Sequence, residues 1–358
     1  MSMSPDRILL YCRAGFESEC AQEIMDHATE NGCAGYIKAH KNGAYVEWVE
    51  TVAGHAKQLH QTIAFERLIF ARQWILSLPM MDNLPETDRV TPLLAAFRSL
   101  NVRLGHVWVE APDTNQGKEL ATFCKKFTAP LAQRLRQQGL LSKSQSASRP
   151  WGHAFFLDSR RVFVGYSTPD NRSIHHNGIM RLKFPHDAPS RSTLKLDEAF
   201  LTLLTEEERE QRVRLSDKAV DLGAAPGGWT WQLVRRGLFV TAVDNGPMDA
   251  ALLETGQVVH KREDGFRYQP KQPVAWMVCD MVEKPHRVAD LIAEWLVRGH
   301  CRQTIFNLKL PMKRRYEELQ SCLHRIQGKL EAAGLDYVIR ARQLYHDREE
   351  VTVYIGIC

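Results

Sequence analysis

Asp221-Leu222-Gly223-Ala224-Ala225-Pro226-Gly227-Gly228-Trp229 links a short apolar run at 219–222 to an amphipathic segment at 229–236. That is the pattern of a strand turning into a helix. Glycines here let the backbone turn tightly and approach a ligand, and the first amides of the helix are free to meet an anionic group. The spacing is neither Gly-x-Gly-x-x-Gly nor Gly-x-x-x-x-Gly-Lys-Ser/Thr. Pro226 also removes a donor from the middle of the loop, a poor arrangement for wrapping phosphates.

Downstream, apolar runs at 239–243, 274–279 and 304–308 alternate with helical patterns at 284–298 and 312–333, and two last runs at 337–342 and 351–357 lie close enough to pair antiparallel. This rhythm predicts a doubly wound, Rossmann-like α/β sheet with its site at the strand C-termini. Asp244 closes the second strand roughly 20 residues beyond Gly223, where such sheets place a carboxylate on ribose hydroxyls. Asp264 follows the next strand-like segment and suits an exocyclic adenine amine. The set describes an adenosine ligand without phosphates.

The first half of the chain has no recurring βαβ rhythm. A helix at 17–31 stops at Gly32, a hairpin at 36–40 and 44–50 turns on Lys41-Asn42-Gly43, and a strand at 106–110 precedes a long basic helix at 117–138. A second hairpin joins 154–157 to 161–166. Residues 168–191 carry Pro169, Pro185 and Pro189 with little periodicity and read as a connector. The expected organisation is an α+β region over 1–167, a linker over 168–191 and the doubly wound domain over 192–358.

With 358 residues, 44% hydrophobic and 25% charged, the chain has the composition of a soluble protein of about two domains. Its net charge of +5 is unevenly spread. Residues 118–191 hold 13 Lys and Arg against four acids, a surplus of +9 that leaves −4 for the remainder. Phe127, Trp151, Phe155, Phe156 and Tyr166 interleave with these cations, a pattern suited to a phosphate backbone and stackable bases. No apolar run reaches the ~20 residues of a membrane span. Eight cysteines without a Cys-x-x-Cys pair point to reduced thiols in a cytoplasmic protein. His175-His176-Asn177 and His346-Asp347-Arg348 lack partners at zinc spacing, so no metal is expected. The lack of long apolar heptads favours a monomer.

Four further residues fall at strand ends or element starts: Lys195, Asp280, Lys309 and Glu350. In a doubly wound sheet these ends meet at one crevice. Lysines and carboxylates gathered there suit activation of a weakly acidic hydroxyl. A lysine is a base only when neutral, which at pH 7 costs about 4–5 kcal/mol from its reference pKa. Burial and a second cation lower that cost, whereas a close carboxylate raises it. Lys313-Arg314-Arg315, just beyond Lys309, suits substrate phosphates or a solvated helix start equally.

The glycine loop is similar to the S-adenosylmethionine loop of FtsJ-type ribose 2′-O-methyltransferases, and Lys195, Asp280, Lys309 and Glu350 resemble that family's tetrad. Asp244-Asn245-Gly246-Pro247-Met248, Met277-Val278-Cys279-Asp280-Met281-Val282-Glu283-Lys284-Pro285 and Leu344-Tyr345-His346-Asp347-Arg348-Glu349-Glu350-Val351-Thr352-Val353 extend the likeness. Together they resemble the bacterial large-subunit (23S) ribosomal RNA ribose 2′-O-methyltransferase M family. The resemblance implies a ferredoxin-like subdomain and a THUMP-type RNA-binding domain ahead of the methyltransferase domain. It implies S-adenosylmethionine held by Ser192, Ala225, Pro226, Gly227, Gly228, Asp244, Asp264 and Asp280. Lys309 would accept the proton, Asp280 and Glu350 would orient the lysines or the hydroxyl, and Lys195 would supply charge. The implied substrate is a cytidine of large-subunit ribosomal RNA, protein-free or in an early assembly intermediate. A catalytically silent RNA-binding assembly factor competes with this reading, although all four tetrad positions are filled. A nicotinamide dehydrogenase is disfavoured by the loop spacing and Pro226.

Overall fold

A computed structural model describes residues 4–358, and the chain divides into two units between Met180 and Arg181.

The first unit is built from β1 (Arg7–Tyr11), α1 (Glu17–Glu30), β2 (Gly35–Ala39), β3 (Tyr45–Glu50), α2 (His55–Thr62), β4 (Gln73–Ser77), α3 (Val90–Ser99), β5 (His106–Glu110), α4 (Asn115–Gln137), β6 (Trp151–Phe156) and β7 (Val162–Ser167). Its seven strands form one sheet in the order β2-β3-β1-β4-β7-β6-β5. Every pairing is antiparallel except β5 with β6, whose crossover is α4. The β2–β3 turn has two left-handed residues, Asn42 at φ 61° and Ala44 at φ 59°, of which asparagine tolerates the conformation readily. Helix α4 starts two residues earlier than the periodicity suggests, because Thr114 Oγ1 accepts from the Gly117 amide at 3.0 Å.

The expected stacking platform is not formed by these aromatics. β6 is an interior strand with all six residues buried, so Trp151, Phe155 and Phe156 pack inward. Phe127 and Tyr166 are half-buried against the same core. The cations behave differently: Lys118, Lys125, Lys126, Arg134 and Arg136 stand exposed along α4.

Residues 168–180 are tied to the first unit. The Asn171 amide donates to the His60 and Ile63 carbonyls at 2.7 and 3.1 Å, and the Arg172 guanidinium lies 4.1 Å from the centre of the Trp151 ring. Beneath them is a buried polar network. The Glu110 carboxylate accepts from Tyr11 Oη at 3.0 Å and from the Asn177 amide at 2.7 Å, and pairs with His153 Nδ1 at 2.8 Å. Burial pushes the Glu110 carboxyl up, but His153 and His176 outweigh it and hold the group below its ordinary value.

The second unit comprises α5 (Thr193–Leu203), α6 (Glu206–Arg212), β8 (Lys218–Leu222), α7 (Gly228–Arg235), β9 (Phe239–Val243), α8 (Ala250–Glu254), β10 (Val258–Lys261), β11 (Val274–Cys279), α9 (Pro285–Val297), β12 (Cys301–Lys309), α10 (Arg315–Ala332), β13 (Tyr337–Arg342) and β14 (Glu350–Ile357). Its sheet runs β10-β9-β8-β11-β12-β14-β13. The first five strands are parallel, and β14 is antiparallel to both β12 and β13. Helices cover both faces, so the central strand β11 is an apolar run, VAWMVC, whereas the edge strand β10 is half exposed. Phe200, Trp276 and Tyr354 are fully buried on one side, and Trp295, Val288 and Ile292 are buried on α9. Each large side chain buried this way contributes about 1.5–3 kcal/mol of transfer free energy. From β8 the chain winds outward to β9 and β10 and then crosses back to β11 on the other side of β8, so the crevice opens at the C-terminal ends of β8 and β11.

Candidate active site

The glycine loop is shaped by what surrounds it. Gly223 and Gly227 have φ of +78° and +121°, values other residues rarely adopt. At Gly228 a side chain would collide with the hydroxyls of Ser190 and Ser192. The Ala225 amide donates to Asp244 Oδ2 at 3.0 Å, and Asp244 Oδ1 accepts from the Gly246 amide at 2.7 Å. The loop and the end of β9 are therefore fixed relative to one another.

A cavity of about 400 Å³ opens beside them, lined by Gly223, Ala225, Asp244, Asp264, Phe266, Asp280 and Met281 among others. Asp264 Oδ1 accepts from the Phe266 amide at 2.9 Å, leaving Oδ2 toward solvent beside Arg267. The structure thus gathers Ala225, Asp244, Asp264 and Asp280 around one space. Ser192, Pro226, Gly227 and Gly228 are not in that lining. Ser192 stands at the start of α5, its Oγ turned to Ser190 Oγ at 2.7 Å and not to the helix amides, and its carbonyl accepts from the Trp229 indole at 3.1 Å. Gly227 is packed against Leu252 and Met248.

The expected residue set omits Asp221. Buried at the end of β8, it accepts from Thr230 Oγ1 at 2.6 Å on Oδ2, while Oδ1 has no hydrogen-bond partner. Burial, with Asp280 and Asp244 nearby, pushes its carboxyl up to about 7. An acid inside an apolar strand, two residues before Gly223, was the available signal. The cavity wall includes Asp244, Glu263, Asp264, Asp280 and Glu283, and no Lys or Arg. Such a space disfavours a pyrophosphate and suits a ligand with positive charge next to an adenosine, as in S-adenosylmethionine. Asp221 is buried outside that lining and stands near Asp280 and Asp244.

Next to the cavity Lys195, Asp280, Lys309 and Glu350 close into a ring. Lys309, the last residue of β12, places Nζ 2.6 Å from Asp280 Oδ1 and 3.2 Å from Glu350 Oε2. Lys195, on the first turn of α5, pairs with Glu350 Oε1 and lies 3.5 Å from Asp280 Oδ2. Each lysine therefore meets both acids. Burial draws the Lys309 ammonium down, but Asp280 and Glu350 outweigh it and hold the group above its ordinary value. The carboxyl of Glu350 is pushed up by burial and pulled further down by Lys309 and Lys195, standing below the usual range. The neutral lysine expected of a base is thus not its resting form. Within the basic run 313–315, Arg315 is engaged by Glu349 at 2.5 Å.

Comparison with known proteins places this arrangement in a family. Three family profiles match: "RlmM ferredoxin-like domain" over 5–75, "Ribosomal RNA large subunit methyltransferase M, N-terminal" over 88–168, and "FtsJ-like methyltransferase" over 188–307. The "Ribosomal RNA large subunit methyltransferase M" of Actinobacillus pleuropneumoniae serotype 5b is 50% identical over 356 residues, covering 98% of each chain. Its counterpart from Erwinia tasmaniensis is 52% identical over 351 residues, covering 98% of this chain and 96% of that one. The crystal structure of TrmN from Thermus thermophilus shares 13% identity at a TM-score of 0.36, covering 98% of this chain and 99% of the other. The FtsJ-like methyltransferase match falls on the unit that holds the acidic, phosphate-averse cavity. Half the residues shared along nearly the whole chain, on top of that site, make this RNA methyltransferase a member of the ribosomal RNA large subunit methyltransferase M family.

Proposed function

We propose that the protein methylates the ribose 2′-hydroxyl of a cytidine in large-subunit ribosomal RNA, with Lys309 taking the hydroxyl proton. The observation that carries this reading is the position of Lys309 Nζ between Asp280 and Glu350, beside a cavity that Asp280 also lines. Bound S-adenosylmethionine supplies an electrophilic methyl and a positive charge. A ribose hydroxyl that is to accept the methyl must give up its proton, and Lys309 would take it, with no acid needed on the donor's side.

Lys309 must first lose its resting proton. The ring supports that change because Lys195 contacts both carboxylates. When Lys309 becomes neutral, neither Asp280 nor Glu350 is left as an unpaired buried charge. A nearby fixed positive charge and the exclusion of water by RNA lower the Lys309 pKa further.

The resemblance of the tetrad and its flanking motifs to FtsJ-type enzymes supports the 2′ position, and the choice of cytidine rests on the family match alone. The exposed cations of α4 suit the RNA backbone. The first unit would then hold RNA and the second bind the methyl donor, in a cytoplasmic monomer acting on protein-free RNA or an early assembly intermediate. Labelled S-adenosylmethionine, the protein and protein-free large-subunit ribosomal RNA test this directly. After digestion to nucleosides, label in 2′-O-methylcytidine supports the proposal, and label on a base or on another nucleoside refutes it.

A further inference from the structure

Behind the ring a chain of buried side chains leads away from Asp280, and counting its protons fixes its direction. Asp280 Oδ1, already accepting from Lys309, also accepts from Asn307 Nδ2 at 2.8 Å. A carboxylate between two ammonium groups has only acceptors to offer, so the Asn307 amide nitrogen must face it. Asn307 Oδ1 therefore faces Thr352 Oγ1, 2.7 Å away. The threonine has a single proton, and an amide oxygen can only accept it.

The same Thr352 oxygen lies 3.1 and 3.0 Å from Oδ1 and Oδ2 of Asp347. With its one proton already directed to Asn307, it would repel an ionised Asp347. A favourable contact requires Asp347 to be the donor. Asp347 Oδ2 accepts from the Leu344 amide at 2.9 Å, which leaves Oδ1 to carry the acid proton.

The surroundings agree. Asp347 is 1% exposed. Burial and the charges of Glu350 and Glu198 push its carboxyl well above the usual range, against Lys195. Glu198 is itself held by the amides of Tyr345 and His346 and by His346 Nδ1.

We propose that Asp347 is a neutral carboxylic acid and a positioning residue, which donates to Thr352 so that Thr352 orients Asn307 and Asn307 holds Asp280 beneath Lys309. A neutral Asp347 leaves the ring balanced, with two lysines against two carboxylates. The Asn307 amide takes part of the Asp280 charge and so weakens its grip on the Lys309 proton. This inference rests on the proposed role of the ring.

The test is the pH profile of methyl transfer to protein-free large-subunit ribosomal RNA by the full-length protein, alongside calorimetric affinity for S-adenosylmethionine. Asp347→Asn keeps the shape, donates to Thr352 and accepts from Leu344. It is expected to keep its rate within about threefold of wild type and its ascending limb at the wild-type pH. Asp347→Leu fills similar volume without a donor, and Thr352→Val removes the relay hydroxyl. Each is expected to lose at least about tenfold in rate, the scale of a misplaced catalytic group, with the ascending limb moved to higher pH and cofactor affinity unchanged. Thr352→Ser restores the hydroxyl and the rate, and separates loss of the relay from loss of folding. The proposal is overturned if Asp347→Asn is as impaired as Asp347→Leu, or if Thr352→Val matches wild type in rate and limb. Lys309→Ala run in parallel separates the two readings: a fully active Lys309→Ala protein defeats the ring itself, whereas an inactive one beside wild-type relay variants defeats only the relay.

Discussion

Lys309 and Glu350 are directly opposed residues on antiparallel neighbours, one ending β12 and the other beginning β14, with Nζ 3.2 Å from Oε2. Parallel strands bring their C-termini to the crevice, which is how β11 delivers Asp280 and β12 delivers Lys309. An antiparallel strand brings its N-terminus instead, so Glu350 arrives at the same edge from the start of β14. The lysine thus reaches its second carboxylate through strand register.

That pairing has a pH signature. Glu350 is held below its ordinary pKa in the folded chain, so it contributes stability that is present above the unfolded value, about 4.3, and is lost as pH falls through the folded one. Glu350→Gln is expected to lower stability by about 1–3 kcal/mol at pH 7, because two ammonium groups then share one carboxylate. Thermal unfolding of wild type and variant is expected to show a Tm gap that narrows on acidification below pH 4.5. A gap that widens there contradicts the pairing.

Asp221 offers a second check. With its carboxyl raised to about 7, a substantial fraction is protonated at neutral pH. A cationic ligand next to it favours the ionised form, so binding S-adenosylmethionine is expected to release protons. Calorimetry at pH 7 in buffers of different ionisation enthalpy measures that release. Asp221→Asn should reduce it, and equal release from both proteins would mean that Asp221 does not sense the ligand.

The basic face and the buried aromatics of the first unit separate cleanly by mutation. Lys125→Ala with Lys126→Ala is expected to weaken RNA binding and lower the salt slope, log K against log salt, by about 1.5. Phe155→Ala is expected instead to cost about 3–5 kcal/mol of stability. An RNA titration across salt concentrations and a melting curve distinguish the outcomes. A stable Phe155→Ala protein defective only in RNA affinity would restore the stacking platform.

Legibility followed the kind of signal each segment carried. The strands at 239–243, 274–279 and 337–342 were readable to the residue because the first two ran into Asp244 and Asp280, the second followed Pro273 and the third followed a turn at Gly334. β1 and β4, by contrast, pair with one another and are buried along their whole length, so neither shows the alternation that marks a strand with one wet face. The aromatics at 151–156 misled for a related reason. Interleaving with cations along the sequence is not adjacency on a surface, and an interior strand turns every such residue inward. The four ring residues could be named from their places at element ends. Which lysine met which acid depended on register and on the α5 turn, and the outcome is that both meet both. Asp221 and Asp347 stayed without a role because what distinguishes each is burial among other carboxylates, a property of the folded chain.

The central claim is that Lys309 takes the proton of the ribose hydroxyl, and Lys309→Met tests it most directly. The measurement is single-turnover methylation of protein-free large-subunit ribosomal RNA by wild type and variant at saturating S-adenosylmethionine, with cofactor affinity measured on the same preparations. The account predicts a rate lower by about 10²–10⁴, the usual contribution of a positioned acid or base, with cofactor affinity within a few fold of wild type. A variant that binds the cofactor and still forms 2′-O-methylcytidine at near the wild-type rate would contradict it.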